Sequence, residues 1–265
     1  MHAPSTLPII DSELLLLAYR SGIFPMADSR DDPEIFWVEP QRRAILPLDR
    51  PPLPGFVCSR SLARTLRRGR FTVTCNAAFA ATMEGCAQPR SDSAETWISE
   101  RIAASYLALH AAGAAHSIEC WQDGRLVGGL YGVGFDRVFC GESMFSTVPD
   151  ASKVALAWLV ASLRHAGARL LDCQFMTDHL ASLGAIEISQ KRYLHLLRAA
   201  QISTLGEGVA AGLAAGLAGG LADGPADGAA AGLGLPDGFA ALLAAAAGSS
   251  SSPGNFIAQS FTQTS

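Results

Sequence analysis

The sequence predicts an α+β fold in which helices flank a mixed sheet. Two observations carry this prediction. First, the strand-like segments 115–122 and 125–133 are joined by Asp123-Gly124, a strong signal for an antiparallel hairpin. Second, an amphipathic helix separates the strand-like segments 137–145 and 169–173, and such a crossover connects parallel strands. The predicted sheet therefore contains both kinds of pairing.

The first 52 residues form a segment too small to enclose a strong core alone, so it must pack on the rest of the chain. Asp11 is the predicted N-cap of a Leu-rich helix that ends near Arg20. Short strands are expected at 35–38 and 43–46, and prolines then accumulate between residues 47 and 54. We therefore place a domain boundary near residue 52.

The remaining helices each begin at a residue whose side chain can cap a helix. They are expected to start at Asn76, Ser99, Asp150 and Thr177. Strands at 71–75 and 185–189 complete a second domain over residues 53–204.

The composition changes abruptly near residue 205. The segment 205–265 is rich in Gly and Ala, and it carries four acidic residues but no Lys or Arg. Because frequent Gly opposes a regular helix, we expect a mostly disordered tail with a nascent helix at 239–247. Without this tail the formal net charge of −4 becomes 0. Any surface for a polyanion must therefore come from local clustering of charge.

Six cysteines are scattered along the chain, with no C-x-x-C motif and no His at metal-ligand spacing. This pattern favours reduced thiols in a cytoplasmic protein over a disulfide framework or a metal site. Neither a signal peptide nor a bilayer-spanning stretch is expected. We expect no cofactor, no metal and no membrane association.

The chain lacks the Walker A, H-E-x-x-H and G-x-S-x-G motifs of several common enzymes. Its most unusual feature is a carboxylate in each of two apolar strands, Glu142 within 139–146 and Asp172 within 170–174. A buried carboxylate is costly unless it is hydrogen-bonded or paired. At this point a structural pair and an active site are both open interpretations.

Five arginines lie in and just after a short helix that Gly69 ends. They are Arg60, Arg64, Arg67, Arg68 and Arg70. Such a cluster can contact phosphates, and the alternative is a solvated helix face.

The order of strands and helices is typical of acyl-CoA N-acyltransferases. Those enzymes hold the CoA pyrophosphate on a glycine-rich turn at a helix N-terminus. The corresponding connection here, 146–151, has no glycine and carries Asp150. The nearest partial match, 125–130, lies on a hairpin strand. We therefore expect an acyl donor other than CoA.

Eight motifs occur in the order found in leucyl/phenylalanyl-tRNA–protein transferases, and the resemblance covers about residues 11–195. The motifs are Tyr19-Arg20-Ser21-Gly22-Ile23-Phe24-Pro25-Met26, Thr96-Trp97-Ile98, His116-Ser117-Ile118-Glu119, Gly128-Gly129-Leu130-Tyr131-Gly132, Phe139-Cys140-Gly141-Glu142-Ser143-Met144-Phe145-Ser146, Ala151-Ser152-Lys153, Asp172-Cys173-Gln174 and His179-Leu180-Ala181-Ser182-Leu183-Gly184-Ala185. The resemblance implies a GNAT-like (acyl-CoA N-acyltransferase) catalytic domain. Many members have a longer stretch before the helix that contains Tyr19, so we expect the N-terminal domain of this chain to be abbreviated. The resemblance also implies transfer of Leu or Phe, with Met as a further candidate, from aminoacyl-tRNA to the α-amino group of proteins that begin with Arg or Lys. The product is a degradation signal.

The resemblance also assigns roles to individual residues. Asp172 and Gln174 would hold the attacking amine and relay its proton, and Glu142 would supply negative potential for the cationic acceptor. Whether Asp172 is a base or only positions the amine stays open. The implied aminoacyl pocket consists of Leu130, Phe139, Met144 and Leu159. The implied contacts to the tRNA 3′-adenosine are Tyr19, Met26 and Trp97, and the five arginines would contact the tRNA backbone.

Met26 stands where other members have Trp, which shifts base stacking toward Trp97. We expect a monomer. Two alternatives remain, an acyl-CoA-dependent N-acetyltransferase and a non-catalytic tRNA-binding module.

Overall fold

The computed structural model describes residues 8–48, 55–89, 96–201 and 233–262. The helices are α1 (Ser12–Arg20), α2 (Arg60–Arg67), α3 (Phe79–Cys86), α4 (Glu100–Ala111), α5 (Ala151–His165), α6 (Asp178–Ser182), α7 (190–201), α8 (Leu235–Gly248) and α9 (Pro253–Thr262). The strands are β1 (Phe24–Met26), β2 (Phe36–Val38), β3 (Arg42–Leu46), β4 (Thr72–Cys75), β5 (Ala115–Gln122), β6 (Arg125–Phe135), β7 (Val138–Ser146), β8 (Leu170–Gln174) and β9 (Ile186–Ser189).

Seven strands form one mixed sheet in the order β4-β5-β6-β7-β8-β3-β9, and β1 pairs with β2 in a separate ribbon. Strands β7 and β8 are parallel and are connected through α5, whereas the other neighbours in the sheet are antiparallel. The α+β class and the predicted parallel pair are therefore confirmed. Strand β3 comes from the first 52 residues, so this segment contributes directly to the main sheet.

Helix starts agree with the predicted caps at several positions. The side chains of Asp11, Ser99 and Thr177 each accept a hydrogen bond from a backbone N–H in the first turn of α1, α4 and α6. The predicted cap at Asn76 is wrong, and the one at Asp150 is confirmed in position but not in its hydrogen bond. Asn76 lies two residues before the N-cap of α3, and its Oδ1 instead accepts from the backbone N–H of Ser117 at 3.0 Å. Asp150 occupies the N-cap position of α5 with a left-handed backbone and makes no capping bond.

The sheet separates two apolar layers, because neighbouring residues of a strand point to opposite faces. Leu130 packs in the layer that contains α5, α2 and the two C-terminal helices. Its neighbour Tyr131 packs in the layer that contains α1, α3, α4 and α7. The core is thus continuous on both faces of the sheet.

The prediction of a mostly disordered tail is wrong for residues 233–262. Helix α8 spans the expected segment 239–247, and α9 comes directly after it. Leu242 and Ile257 are buried against the layer that contains α5. Residues 205–232, also part of the predicted tail, lie outside the described residues.

Among the described residues, no helix combines the length and the hydropathy needed to cross a lipid bilayer.

Candidate active site

Three polar residues of the sequence analysis meet where β7 and β8 part. These strands pair from Val138↔Leu170 to Cys140↔Asp172, and the described residues form no ladder pair beyond that point. Glu142 and Gln174 each lie two residues further along their strands. The side chains of Glu142 and Gln174 are both buried at the end of this ladder, with 8% and 6% of their surface exposed.

Asp172 is held in a buried ion pair that the sequence analysis did not foresee. Its side chain is completely buried, and so is that of Arg43 on the neighbouring strand β3. The Arg43 Nε donates to Oδ1 at 2.9 Å, and the Tyr193 hydroxyl donates to Oδ2 at 2.9 Å. Both carboxylate oxygens are therefore occupied.

Arg43 is fixed from several sides. Its Nη1 donates to the backbone carbonyl of Gly22 at 3.2 Å, and its guanidinium lies 4.7 Å from the Phe24 ring and 4.4 Å from the Tyr193 ring. Burial alone would lower the pKa of Arg43, but the charge of Asp172 and its hydrogen bonds raise it above the normal range. Arg43 is thus a permanent cation whose charge Asp172 neutralises.

Asp172 also determines the backbone of Gln174. The Gln174 N–H donates to Asp172 Oδ1 at 2.8 Å, and Gln174 adopts φ of 59°. A left-handed backbone is uncommon for a non-glycine residue and is often found at functional sites. The opposite strand carries a register shift between Ala44 and Ile45, and Ala44 pairs with Gln174. Bulges of this type re-aim a side chain next to an active site.

Glu142 lies beneath two tyrosines. The Tyr19 hydroxyl donates to Oε1 at 2.7 Å, and the Tyr106 hydroxyl donates to Oε2 at 3.1 Å. The two hydroxyl oxygens also lie within hydrogen-bonding distance of each other. Burial raises the pKa of Glu142 to about 7, although hydrogen bonds from Tyr19, Gln174 and Tyr106 favour the ionised form. Glu142 can therefore exchange a proton near neutral pH.

The side-chain amide of Gln174 belongs to the same cluster but lacks a full set of hydrogen-bond partners. It approaches Glu142 closely enough to favour the ionised carboxylate. Its Nε2 is nevertheless buried and makes no hydrogen bond of normal geometry with any described residue. A buried amide group without a full partner is costly, which is typical of a group that awaits a ligand.

The residues assigned to the aminoacyl pocket share one apolar cluster. Leu130, Phe139 and Leu159 are buried there, and Met144 packs at its edge opposite Leu130 in the β6–β7 ladder. This cluster lies on the α5 face of the sheet, whereas Tyr19 packs on the other face. Two surface cavities, of about 490 and 440 Å³, lie elsewhere, beside α5 and α9 and between α3 and α4.

The three residues assigned to the 3′-adenosine differ in exposure. Tyr19 is 1% exposed, so its ring is not available for stacking in this conformation, and its hydroxyl binds Glu142. Met26 and Trp97 are half-buried at the edge of the layer that contains α4. These two side chains retain surface that a base can contact.

All five arginines of the α2 region are exposed. Within the described chain, none of them forms an ion pair, although the Arg70 guanidinium lies 5.3 Å from the Phe71 ring centre. This leaves a cationic surface on α2.

Sequence analysis missed Arg43, Tyr106 and Tyr193. Arg43 carries a signal, because it is a charged residue directly before the apolar run 44–46 of a strand. The two tyrosines carry none, since buried tyrosines in helices are ordinary core residues. Over the described residues, no group of three or more His, Cys, Asp and Glu side chains is arranged to hold a metal ion.

Comparison with known proteins adds independent evidence. Residues 52–198 match a family model described as leucyl/phenylalanyl-tRNA protein transferase, and residues 9–41 match the model of that family's N-terminal domain. A relative named leucyl/phenylalanyl-tRNA–protein transferase from Novosphingobium aromaticivorans is 68% identical over 97% of each chain. A relative of the same name from Rhizorhabdus wittichii is 57% identical over 76% of this chain and 79% of its own.

Among solved structures, L-PGS from Bacillus licheniformis matches with a TM-score of 0.34 and 12% identity, over 66% of this chain and 56% of that one. The family models and the relatives suffice for assignment. The chain belongs to the leucyl/phenylalanyl-tRNA–protein transferase family.

Proposed function

We propose that this transferase moves Leu or Phe from aminoacyl-tRNA to the α-amino group of proteins that begin with Arg or Lys. The observation that carries the proposal is the buried polar cluster where the β7–β8 ladder ends. There a carboxyl group with a pKa of about 7 lies beside an amide with an unused donor. The name shared by the relatives supports the reaction class.

The reaction is aminolysis of an ester. The acceptor's α-ammonium group loses a proton, and the amine nitrogen then attacks the carbonyl carbon of the aminoacyl ester. An amide bond forms, the bond to the tRNA ribose oxygen breaks, and that oxygen takes up a proton. In this proposal Glu142 accepts the proton of the ammonium group, because its pKa of about 7 matches neutral conditions. The oxygens of Glu142 also accept hydrogen bonds, but the donors, Tyr19 and Tyr106, are neutral hydroxyl groups.

Gln174 orients the amine, and Asp172 acts through Gln174. Asp172 differs from Glu142 in having a cationic partner, since it is paired with the buried guanidinium of Arg43. We therefore assign the role of base to Glu142 and a positioning role to Asp172, which also accepts from the Gln174 N–H. Asp172 thereby holds the backbone of Gln174 in its left-handed conformation. Placing two substrates in reactive geometry supplies a large part of such a rate on its own.

The donor occupies the apolar cluster of Leu130, Phe139, Met144 and Leu159 in this proposal. Met26 and Trp97 contact the terminal adenosine, and the arginines of α2 contact the tRNA backbone. Backbone contacts of this type are electrostatic and independent of sequence.

We further propose that the sheet with its parted parallel strands is GNAT-like. The parallel β7–β8 pair and its crossover helix α5 support this proposal. The domain division near residue 52, the monomeric state and the cytoplasmic location stay predictions.

A peptide transfer assay tests the function. The protein is incubated with leucyl-tRNA and a peptide that begins with Arg, and mass spectrometry detects the Leu-Arg-peptide. Deacylated tRNA and acetyl-CoA serve as parallel donors, and neither should modify the peptide. Absence of product with both leucyl-tRNA and phenylalanyl-tRNA would reject the function, and acetylation of the peptide would favour the N-acetyltransferase alternative.

A further inference from the structure

Helix α2 has two opposite faces. Arg60, Arg64, Arg67 and Arg68 follow one another at spacings that place them on one side of a helix, and all four are exposed. Leu62 and Leu66 lie on the other side and are buried. The cationic face of α2 therefore depends on how its apolar face is seated.

Helix α2 is poorly suited to stand alone. It has eight residues, which is too short for an isolated helix in water. Its first turn contains no acidic residue, and Arg60 lies at the positive end of the helix dipole. Arg64 has a like charge four residues away on each side, and such pairs are unfavourable. Packing must therefore supply the stability of α2.

Helix α9 provides that packing at very short range. A Cβ atom on Gly254 would lie 2.1 Å from the Leu66 carbonyl oxygen, so only glycine allows this approach. The Phe261 ring lies 4.8 Å from the Phe56 ring, and Ile257 is fully buried beside them. The first turn of α9 thus packs on α2, and its last turn packs on Phe56 in the segment before α2.

Helix α8 ties α9 to the crossover helix α5. A Cβ atom on Gly238 would lie 2.4 Å from the Ser162 carbonyl oxygen, and the Phe239 and Trp158 rings are 5.3 Å apart. Helix α5 also carries Leu159 of the aminoacyl cluster. The two C-terminal helices therefore join the pocket helix and the arginine helix.

We propose that α8 and α9 are a positioning element that presents the arginine face of α2 to the tRNA backbone. This inference rests on the proposed function. The two helices lie beyond residue 198, where the match to the family model ends. Their packing on α2 and α5 is therefore an addition to the matched catalytic region.

The test compares glycines of different surroundings in the full-length chain. Gly254→Ala introduces a methyl group against the Leu66 backbone. In the matched control Gly248→Ala, the added Cβ atom has no neighbouring atom within 4 Å. Phe261→Ala loosens the packing of the same helix without adding volume. Circular dichroism confirms folding, the affinity for deacylated tRNA is measured against salt concentration, and the peptide KM is measured at saturating leucyl-tRNA.

Gly254→Ala and Phe261→Ala should weaken tRNA binding severalfold. The slope of log Kd against log salt should fall by about 1 for each phosphate that an arginine of α2 no longer neutralises. The peptide KM should stay unchanged, and Gly248→Ala should match wild type throughout. A purely structural role of the helices would lower the melting temperature without changing the salt slope.

Wild-type tRNA affinity and salt slope in both folded variants would overturn the inference. Reversal of charge in Arg67→Glu with Arg68→Glu separates the causes. If this reversal also leaves tRNA binding intact, the proposed binding of tRNA through α2 is wrong, and the inference falls with it. A wild-type chain that binds tRNA but yields no product would instead reject the proposed function alone.

Discussion

The variant Arg43→Met tests quantitatively how much the buried ion pair between Arg43 and Asp172 stabilises the protein. Methionine is close to arginine in length but has no charge, so Asp172 would keep its burial and lose its cation. Removal of one partner of a buried pair costs about 3–5 kcal/mol. Tyr193 and the Gln174 N–H still donate to Asp172, so we expect a value near the lower end, about 3 kcal/mol. That is a large part of a typical total of about 5–15 kcal/mol.

Urea unfolding measures this loss, and the neighbouring residue supplies the control. Arg42 pairs with Glu187 but its side chain is 67% exposed, so Arg42→Met should cost less than about 1 kcal/mol. Adding Asp172→Asn to Arg43→Met removes the stranded charge and should recover part of the stability. If Arg43→Met cost no more than Arg42→Met, the ion pair would not organise the site as described.

Three further predictions concern the residues around this pair. Because the pKa of Glu142 is raised, the folded state keeps a proton that the unfolded chain loses between about pH 4.5 and pH 7. The free energy of unfolding should therefore fall as the pH rises through this range. In urea melts at several pH values, Glu142→Gln should remove this dependence. Tyr193→Phe removes a donor to a buried carboxylate and should cost about 1.5–3 kcal/mol, with a lower kcat for peptide transfer at unchanged tRNA affinity. Gly132→Ala would place a Cβ atom 2.2 Å from the Cys140 carbonyl oxygen, so this variant should lose about 1–3 kcal/mol of stability in thermal melts. In the control Gly141→Ala the Cβ atom would lie 3.5 Å from the Asp172 carbonyl oxygen, so the loss of stability should be smaller.

Strands β5 to β8 could be predicted from the sequence because the sequence signals that define them are local. Alternation, the Asp123-Gly124 turn and the crossover helix predict β5, β6, β7 and β8 within a residue or two of their observed ends. These features depend on neighbours along the chain, where turn chemistry and periodicity act directly.

The hydrogen-bond and ion-pair partners of Asp172 and Glu142 could not be predicted in this way. Arg43 and Asp172 are 129 residues apart, and Tyr19 and Glu142 are 123 apart. A sequence shows that a buried carboxylate needs partners, but the fold decides which residues those are. The resemblance to the family named Glu142, Asp172 and Gln174, yet it said nothing of Arg43.

The C-terminal helices show a limit of composition as evidence. Frequent Gly lowers helix propensity, which is the physical basis for expecting disorder there. Gly238 and Gly254 instead allow α8 and α9 to approach backbone carbonyls of α5 and α2. The burial of side chains such as Leu242 then outweighs the weak intrinsic preference.

The most direct test of the central claim is the single-turnover rate of transfer from leucyl-tRNA to an Arg-terminal peptide by Gln174→Ala. The exposed Gln259→Ala is the matched control. If Gln174 and Glu142 hold and deprotonate the amine where the β7–β8 ladder ends, Gln174→Ala should slow the chemical step by about 100-fold or more at unchanged tRNA affinity. A rate equal to that of Gln259→Ala would place the chemistry elsewhere in the molecule.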